Sequence, residues 1–333
     1  MTDKPTVLVT GGAGYIGSHA VLALRDAGWP VVVIDNLVTG FRWAVPDDVP
    51  LHEGDVADQP FVEQVLRHHG VRAILHFAGS VVVPESVTDP LKYYRNNTAA
   101  SRALIESAVR CGVPHFIFSS TAATYGIPDE TPCREDMPTR PINPYGMSKL
   151  MTEAMLADVS AAHPINHCIL RYFNVAGADP AGRSGQSTAG ATHLIKVAVE
   201  AALGKRGHVG VFGTDFPTPD GTGVRDYIHV SDLAAAHVLA LEALIAAPSE
   251  NLLMNCGYGR GFSVLEVLDA VDRVTNLKIA RRLEGRRPGD PPALIADNRK
   301  ILARLPWRPR YDDLDTIVAH ALAWERKLAE RAN

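Results

Sequence analysis

The chain has 333 residues, enough for one large domain or for two that share a core. Its 46% hydrophobic and 21% charged residues suit a globular protein, and a formal net charge of −4 offers no general attraction to nucleic acid or to an anionic membrane surface. No apolar run approaches the ~18 residues needed to span a bilayer. Cys111, Cys133, Cys168 and Cys256 stand far apart without zinc-type spacing, so the expectation is a cytoplasmic chain with free thiols, no metal, and neither nucleic acid nor membrane as partner.

Short β-branched runs alternate with longer helical patterns. Strands are expected at Val7–Thr10, Val31–Asp35, Leu51–Glu53, Ala73–Phe77, His115–Ser119 and His167–Arg171, with helices between them at about 16–27, 58–69, 91–111 and 145–162. This alternation implies βαβ units and a doubly wound parallel sheet, an α/β fold. The wholly apolar VVVI and FIF runs suit strands covered on both faces.

After Asn174 the pattern changes. Residues 176–190 form a Gly/Ala/Ser-rich loop, a helix follows at about 191–203, and then comes the Pro/Gly-rich FGTDFPTPDGTGVRD. Ser231–Leu244 is helical with Ser231 as the expected N-cap, and Leu252–Asn255 would rejoin the sheet as a strand. The remainder reads as a smaller mixed α/β unit. The expected division is 1–175 with about 226–256, and 176–225 with about 257–333. Ligands of doubly wound sheets bind at the carboxyl ends of the strands, so function is sought in the loops there.

The first such loop is Thr10-Gly-Gly-Ala-Gly-Tyr-Ile-Gly17. Its glycines, with Gly11, Gly14 and Gly17 at the turn, permit positive φ and close approach of the backbone to a pyrophosphate. The next helix presents free N–H groups, beginning with Tyr15 and Ile16. Strand two ends at Asp35, about twenty residues on, where a carboxylate accepts hydrogen bonds from an adenosine ribose and repels a 2′-phosphate. Together these indicate a Rossmann-type site for NAD rather than NADP. Asp55, after strand three, stands where adenine could be recognised, or else caps the helix near Asp58.

The fifth strand brings the hydroxyls of Ser119, Ser120 and Thr121 to the same edge. The next helix opens with PYGMSK, placing Tyr145 and Lys149 one turn apart on one face. A phenol of pKa ~10 is almost un-ionised at neutral pH. A nearby ammonium and a cationic nicotinamide would lower that value, making Tyr145 a proton acceptor, while the Thr121 hydroxyl could hold the substrate oxygen or relay its proton. Lys149 would also reach the nicotinamide ribose.

TGGAGYIGSH, HFAG, YYRNN, FIFSS, PYGMSK, RYFN, DGTGVRDYIHVSDLA and RRPGD together resemble the extended short-chain dehydrogenase/reductases, and within them the nucleotide-sugar 4-epimerases, over residues 6 to 328. The resemblance implies NAD-dependent oxidation of C4 of a UDP-sugar to a 4-ketopyranose, rotation of that sugar, and reduction from its other face. It carries over Asn36, Val56, Phe77, Ala78, Gly79, Asn97 and Tyr172 as cofactor-side positions, and Asn174, Val211, Phe212, Arg225, Arg287 and Asp290 as the uridine diphosphate site. It also implies a homodimer through the helices at about 91–111 and 145–162.

Thr121 stands where the family usually has Ser, Val81 where some relatives carry Lys, and His193 where Asn often contacts substrate. Leu294 falls at a position that bears on whether N-acetylated sugars fit. Rival readings are a 4,6-dehydratase, a UDP-pentose or UDP-N-acetylhexosamine epimerase, and a non-catalytic dinucleotide sensor. A dehydratase would need an Asp-Glu pair where this chain has Ala122-Ala123. His76 and His229 read as structural.

Overall fold

The computed structural model describes residues 4–287 and 290–331. Pro288 and Gly289 of the RRPGD motif lie outside the described residues. The strands β1 (Thr6–Thr10), β2 (Val31–Asp35), β3 (Leu51–Glu53), β4 (Val71–His76), β5 (His115–Thr121) and β6 (Asn166–Tyr172) are interleaved with helices α1 (Tyr15–Asp26) and α2 (Gln59–His68), a longer helical run over 83–110, and α6 (Pro144–Ala162). That run comprises α3 (Val83–Thr88), α4 (Pro90–Tyr93), a π-helical turn Tyr94–Ala99, and α5 (Ala100–Arg110). The single expected helix at 91–111 is therefore continuous but spliced by one wide turn.

In the second half come β7 (Asn174–Ala176), α7 (Leu194–Ala202), β8 (Val209–Phe212), β9 (Val224–His229), α8 (Val230–Ala246), β10 (Leu252–Cys256), β11 (Gly261–Ser263), α9 (Val264–Thr275), β12 (Arg281–Glu284), β13 (Ala293–Leu294), α10 (Arg299–Arg304) and α11 (Leu314–Arg331). The main sheet has seven strands in the order β10-β6-β5-β4-β1-β2-β3, every pair parallel. Its order reverses between β1 and β4, so the loops after those two strands open the crevice in which such sheets hold dinucleotides.

Alternation along β1 shows why both faces are apolar. Val7 and Val9 enter one buried cluster with Val21 and Leu24 of α1 and Leu233 of α8. Leu8 enters the opposite cluster with Leu104 and Leu156. A third core gathers α7, α9 and α11 around Val209, Val211 and Tyr227. There β9 pairs with β7, β11 and β13, while β8 pairs with β12.

Two expected caps are corrected. Helix α8 is capped by His229, whose Nδ1 accepts the Ser231 N–H at 3.0 Å, so the helix starts one residue before Ser231. Helix α2 is capped by Asp58, which accepts the Phe61 N–H, whereas Asp55 accepts from Ala57 in a separate turn. The four cysteines are free thiols. Among the described residues no helix is long and apolar enough to cross a membrane, and no group of three or more His, Cys, Asp or Glu could hold a metal ion.

Candidate active site

The chain turns from β1 into α1 through Gly11 at φ 70°. A Cβ on Gly11 would lie 2.6 Å from the Ala78 nitrogen, and one on Gly17 would lie 2.1 Å from the Gly11 carbonyl oxygen. Only glycine fits either place. Gly14 precedes α1 and no side chain caps the helix, so its first N–H groups face the crevice. Tyr15 and Ile16 contribute there through their backbone. The Tyr15 hydroxyl is spent on the Gly177 carbonyl at 2.7 Å, and Ile16 packs on the core.

Asp35 ends β2 with one carboxylate oxygen accepting the Ala13 N–H at 2.9 Å and the other accepting from Leu37 at 2.8 Å. Burial pushes its pKa up, against the pull of those two N–H groups. The glycine cradle, the uncapped helix and this acid at the neighbouring strand end fit a dinucleotide. Asn36 is exposed and accepts the Val38 N–H. Val56 departs from its expected role: its side chain is buried in the core, because the residue after the Asp55 turn points back under β2.

Phe77, Ala78 and Gly79 follow β4 on the facing side of the crevice, Phe77 tilted against the His237 ring at 4.8 Å. Asn97 is one layer further back than expected. Its amide nitrogen donates to the Ser80 carbonyl and to Ser148 Oγ, each at 3.0 Å, and its oxygen accepts the Ser80 N–H at 2.7 Å. It stitches the loop after β4 to α6. His76 is also structural, bridging Thr10 and Ser101.

Helix α6 begins at Asn143, whose side chain accepts the Gly146 N–H, with Pro144 as first residue. Its first turn presents half-buried Tyr145 beside Thr121 at the end of β5, whose Oγ1 accepts the Ala123 N–H at 3.1 Å. Lys149 is buried one turn on and donates to the Ser119 carbonyl at 3.0 Å. Burial lowers its pKa to about 8. The expected lowering of the phenol's pKa is not met by the protein's own groups: burial raises it, and only the Thr121 hydrogen bond pulls it down. The ammonium is committed to Ser119 instead. Tyr172, at the end of β6, is buried with its hydroxyl on Ser119 Oγ, and burial raises its pKa further.

The expected nucleotide residues divide. Arg225 on β9 donates to its neighbour's carbonyl and pairs with the Asp290 carboxylate. Arg287 lies 3.7 Å over the Phe212 ring, its pKa lowered by burial against the pull of Asp290. These four residues form one cluster. Val211 is not part of its surface: strand alternation on β8 turns Val211 into the core and Phe212 outward. Asn174 lines a separate cleft with His193, Leu194 and Tyr227, where His193 accepts from Gln186. Leu294 is buried against Ala122 and Tyr125. Val81 is exposed.

Four residues that the sequence reading did not assign close the back of the site. Glu153 and Arg171 form a buried ion pair, and Ser120 donates to the same carboxylate. Ser119 holds both Lys149 and Tyr172. The regular spacing Tyr145, Lys149, Glu153 was the available signal.

A dinucleotide cradle facing a Tyr–Lys helix across a parallel sheet defines an NAD-dependent enzyme of the extended short-chain dehydrogenase/reductase kind. The model of the NAD dependent epimerase/dehydratase family matches residues 7–257. The chain is similar to the UDP-glucose 4-epimerase of Azospirillum brasilense, 58% identical over 334 residues covering 99% of this chain and 96% of that one. Among solved structures it resembles UDP-glucose 4-epimerase from Brucella ovis in complex with NAD, at 44% identity and TM-score 0.93 over 96% of this chain and 98% of that one. The enzyme from Bifidobacterium longum in complex with NAD+ and UDP aligns at 38% identity and TM-score 0.91 over 97% and 98%. The chain belongs to the NAD dependent epimerase/dehydratase family.

Proposed function

We infer that this enzyme interconverts UDP-galactose and UDP-glucose by inverting C4, retaining its NAD throughout. The observation that carries this reading is Tyr145 beside Thr121, with Lys149 bonded to Ser119, at the sheet edge that also bears the glycine cradle, and Ala122-Ala123 where an eliminating enzyme needs acids. Gly11, Gly14 and Gly17 with the start of α1 would hold the NAD diphosphate, Asp35 the adenosine ribose, and Lys149 the second ribose. When bound, NAD supplies the acceptor and donor of the hydride exchanged with C4.

Tyr145 Oη takes the proton of the 4-hydroxyl as C4 becomes a ketone, and returns it when the ketone is reduced. Thr121 Oγ1, beside the phenol, could hold the substrate oxygen or relay its proton. Lys149, with a pKa of about 8, remains mostly cationic at neutral pH, and together with the cationic nicotinamide of bound NAD it would favour the phenolate that accepts this proton. Inversion requires the sugar to turn over while the nucleotide stays fixed. Arg225, Arg287 and Asp290 would grip the uridine diphosphate, with Phe212 beside the base and Asn174 near the phosphates.

The division into a cofactor unit (1–175 with about 226–256) and a UDP-sugar unit (176–225 with about 257–333) accords with this split of labour. A homodimer through the helical run at about 91–111 and α6 is supported by the exposed Leu91 on α4 and Met151 on α6, and a cytoplasmic location by the free thiols.

The purified protein is offered UDP-galactose, UDP-xylose and UDP-N-acetylgalactosamine without added cofactor, and C4 inversion is followed by NMR. Fastest inversion of UDP-galactose is expected. Faster turnover of another sugar would reassign the substrate, and no inversion even with NAD supplied would overturn the epimerase reading.

A further inference from the structure

Tyr145, Lys149 and Glu153 are spaced four apart on one face of α6 and meet three consecutive residues of β5. The Ser119 carbonyl accepts from Lys149 at 3.0 Å, Ser120 Oγ donates to Glu153, and Tyr145 stands beside Thr121. The clasp on Glu153 is reinforced from β6. Arg171 is the cross-strand partner of Ser120 and donates to the two oxygens of Glu153 from Nε at 2.9 Å and from Nη2 at 2.5 Å. The remaining side of its guanidinium lies over the Tyr125 ring at 4.9 Å. Glu153 pairs with Arg171 and not with Lys149, so the carboxylate's charge is spent behind the site.

A buried ion pair contributes little to stability on balance, because desolvating two charges offsets their attraction; an apolar pair of similar volume often serves a fold as well or better. What the pair does give is direction. A bidentate fork and a hydroxyl fix the carboxylate, and the carboxylate fixes the angle and depth at which α6 meets β5. Two turns upstream on the same rigid helix sits the phenol, which must keep its place beside Thr121.

We propose that Glu153, locked by Arg171 and Ser120, is a positioning residue that sets Tyr145 and Lys149 in their reactive register against β5. The proposal rests on Tyr145 being the proton acceptor of the reaction inferred above.

Two variants test it, each compared with the unaltered holoenzyme on UDP-galactose and each crystallised with its cofactor. The first replaces the pair by apolar groups, Glu153→Leu with Arg171→Met. A merely structural pair predicts an unchanged or raised Tm with full activity. A positioning pair predicts a Tm that is not lowered, a kcat down ~10–100-fold as expected for a misplacement of about 1 Å, a KM within about twofold, and in the crystal a displaced Tyr145 with loss of the Lys149–Ser119 bond. The second variant, Ser120→Ala, removes one hydroxyl and no charge, and decides the matter if the first does not fold. It should lower kcat roughly 3–10-fold at constant KM and bound NAD. An unmoved Tyr145 with the Lys149–Ser119 bond retained, or full kcat, in the folded variant overturns the proposal. An unaltered enzyme that inverts nothing would overturn the substrate reading instead, while the crystallographic position of Tyr145 and the Lys149–Ser119 bond still decide the positioning role.

Discussion

At the proposed reacting end, Lys149 and Glu153 are buried and clasped by Ser119 and Ser120 of β5, and Tyr145 stands half-buried beside Thr121. At the proposed nucleotide end, the side chains of Arg225 and Asp290 keep 13% and 31% of their exposure, pair with one another, and stand beside Arg287 stacked on Phe212. The first set is fixed by the main sheet and has no alternative partners. The second is held by charges that can exchange an internal partner for a diphosphate oxygen with little reorganisation. An enzyme that must turn its sugar over needs both: immobile chemistry, and a grip that closes on the part of the substrate that does not react.

Breaking the rigid end should have the largest effect. Tyr145→Phe is expected to lower kcat by about 10³-fold while bound NAD and Tm stay close to those of the unaltered protein, measured by turnover, cofactor content and calorimetry. Full activity in that variant would remove Tyr145 from the chemistry. Gly17→Ala should empty the cofactor site, since its Cβ would sit 2.1 Å from the Gly11 carbonyl oxygen. NAD recovered from denatured protein at the normal level would show that the cradle tolerates a side chain.

The compliant end should respond differently. Arg287→Ala is expected to raise KM for UDP-galactose ~10–100-fold, with kcat changed less, because a cation used for binding alone acts equally on ground and transition states. A fall in kcat without a rise in KM would place Arg287 among the reacting groups and erase the contrast between the two ends.

The smallest expected effect concerns neither end but the core that supports both. Burial lowers the pKa of His19, His167 and His237 to about 4 and of His76 and His229 to about 3. All five are neutral when folded and protonate near pH ~6.5 when unfolded, so below that pH the unfolded chain binds more protons and stability falls as pH falls. Asp226, raised to about 6 by burial, works the other way with a single proton. Tm at pH 5 should therefore lie roughly 5–10 °C below its value at pH 7.5. A flat profile would mean that these rings are hydrated.

The main sheet was legible because its strands are buried on both faces and their apolar runs are unbroken, as in Val31–Asp35, while α6 announces itself with Asn143 and Pro144. β9 was not, because VRDYIH mixes charged and apolar residues and becomes a strand only through partners distant in sequence, β7, β11 and β13. The same locality explains the site. Gly11, Asp35, Tyr145 and Lys149 belong to short motifs, whereas the clasp between Glu153, Ser120 and Arg171 joins three elements that no local pattern connects. Ser231 looked like a cap by residue type, but the imidazole of His229, two positions earlier, took the role.

The π-helical turn at Tyr94–Ala99 gives one long rod two independent phases. Its widened turn lodges an extra residue, so Asn97 faces the loop beside Lys149 while Ala103, downstream, still meets Gln59 of α2. Removing one residue from that turn would restore an ordinary α-helix and rotate one half by about 100° relative to the other. The chain could then keep its packing or its aim at the site, but not both: the turn is a gear tooth whose omission leaves every later face out of step.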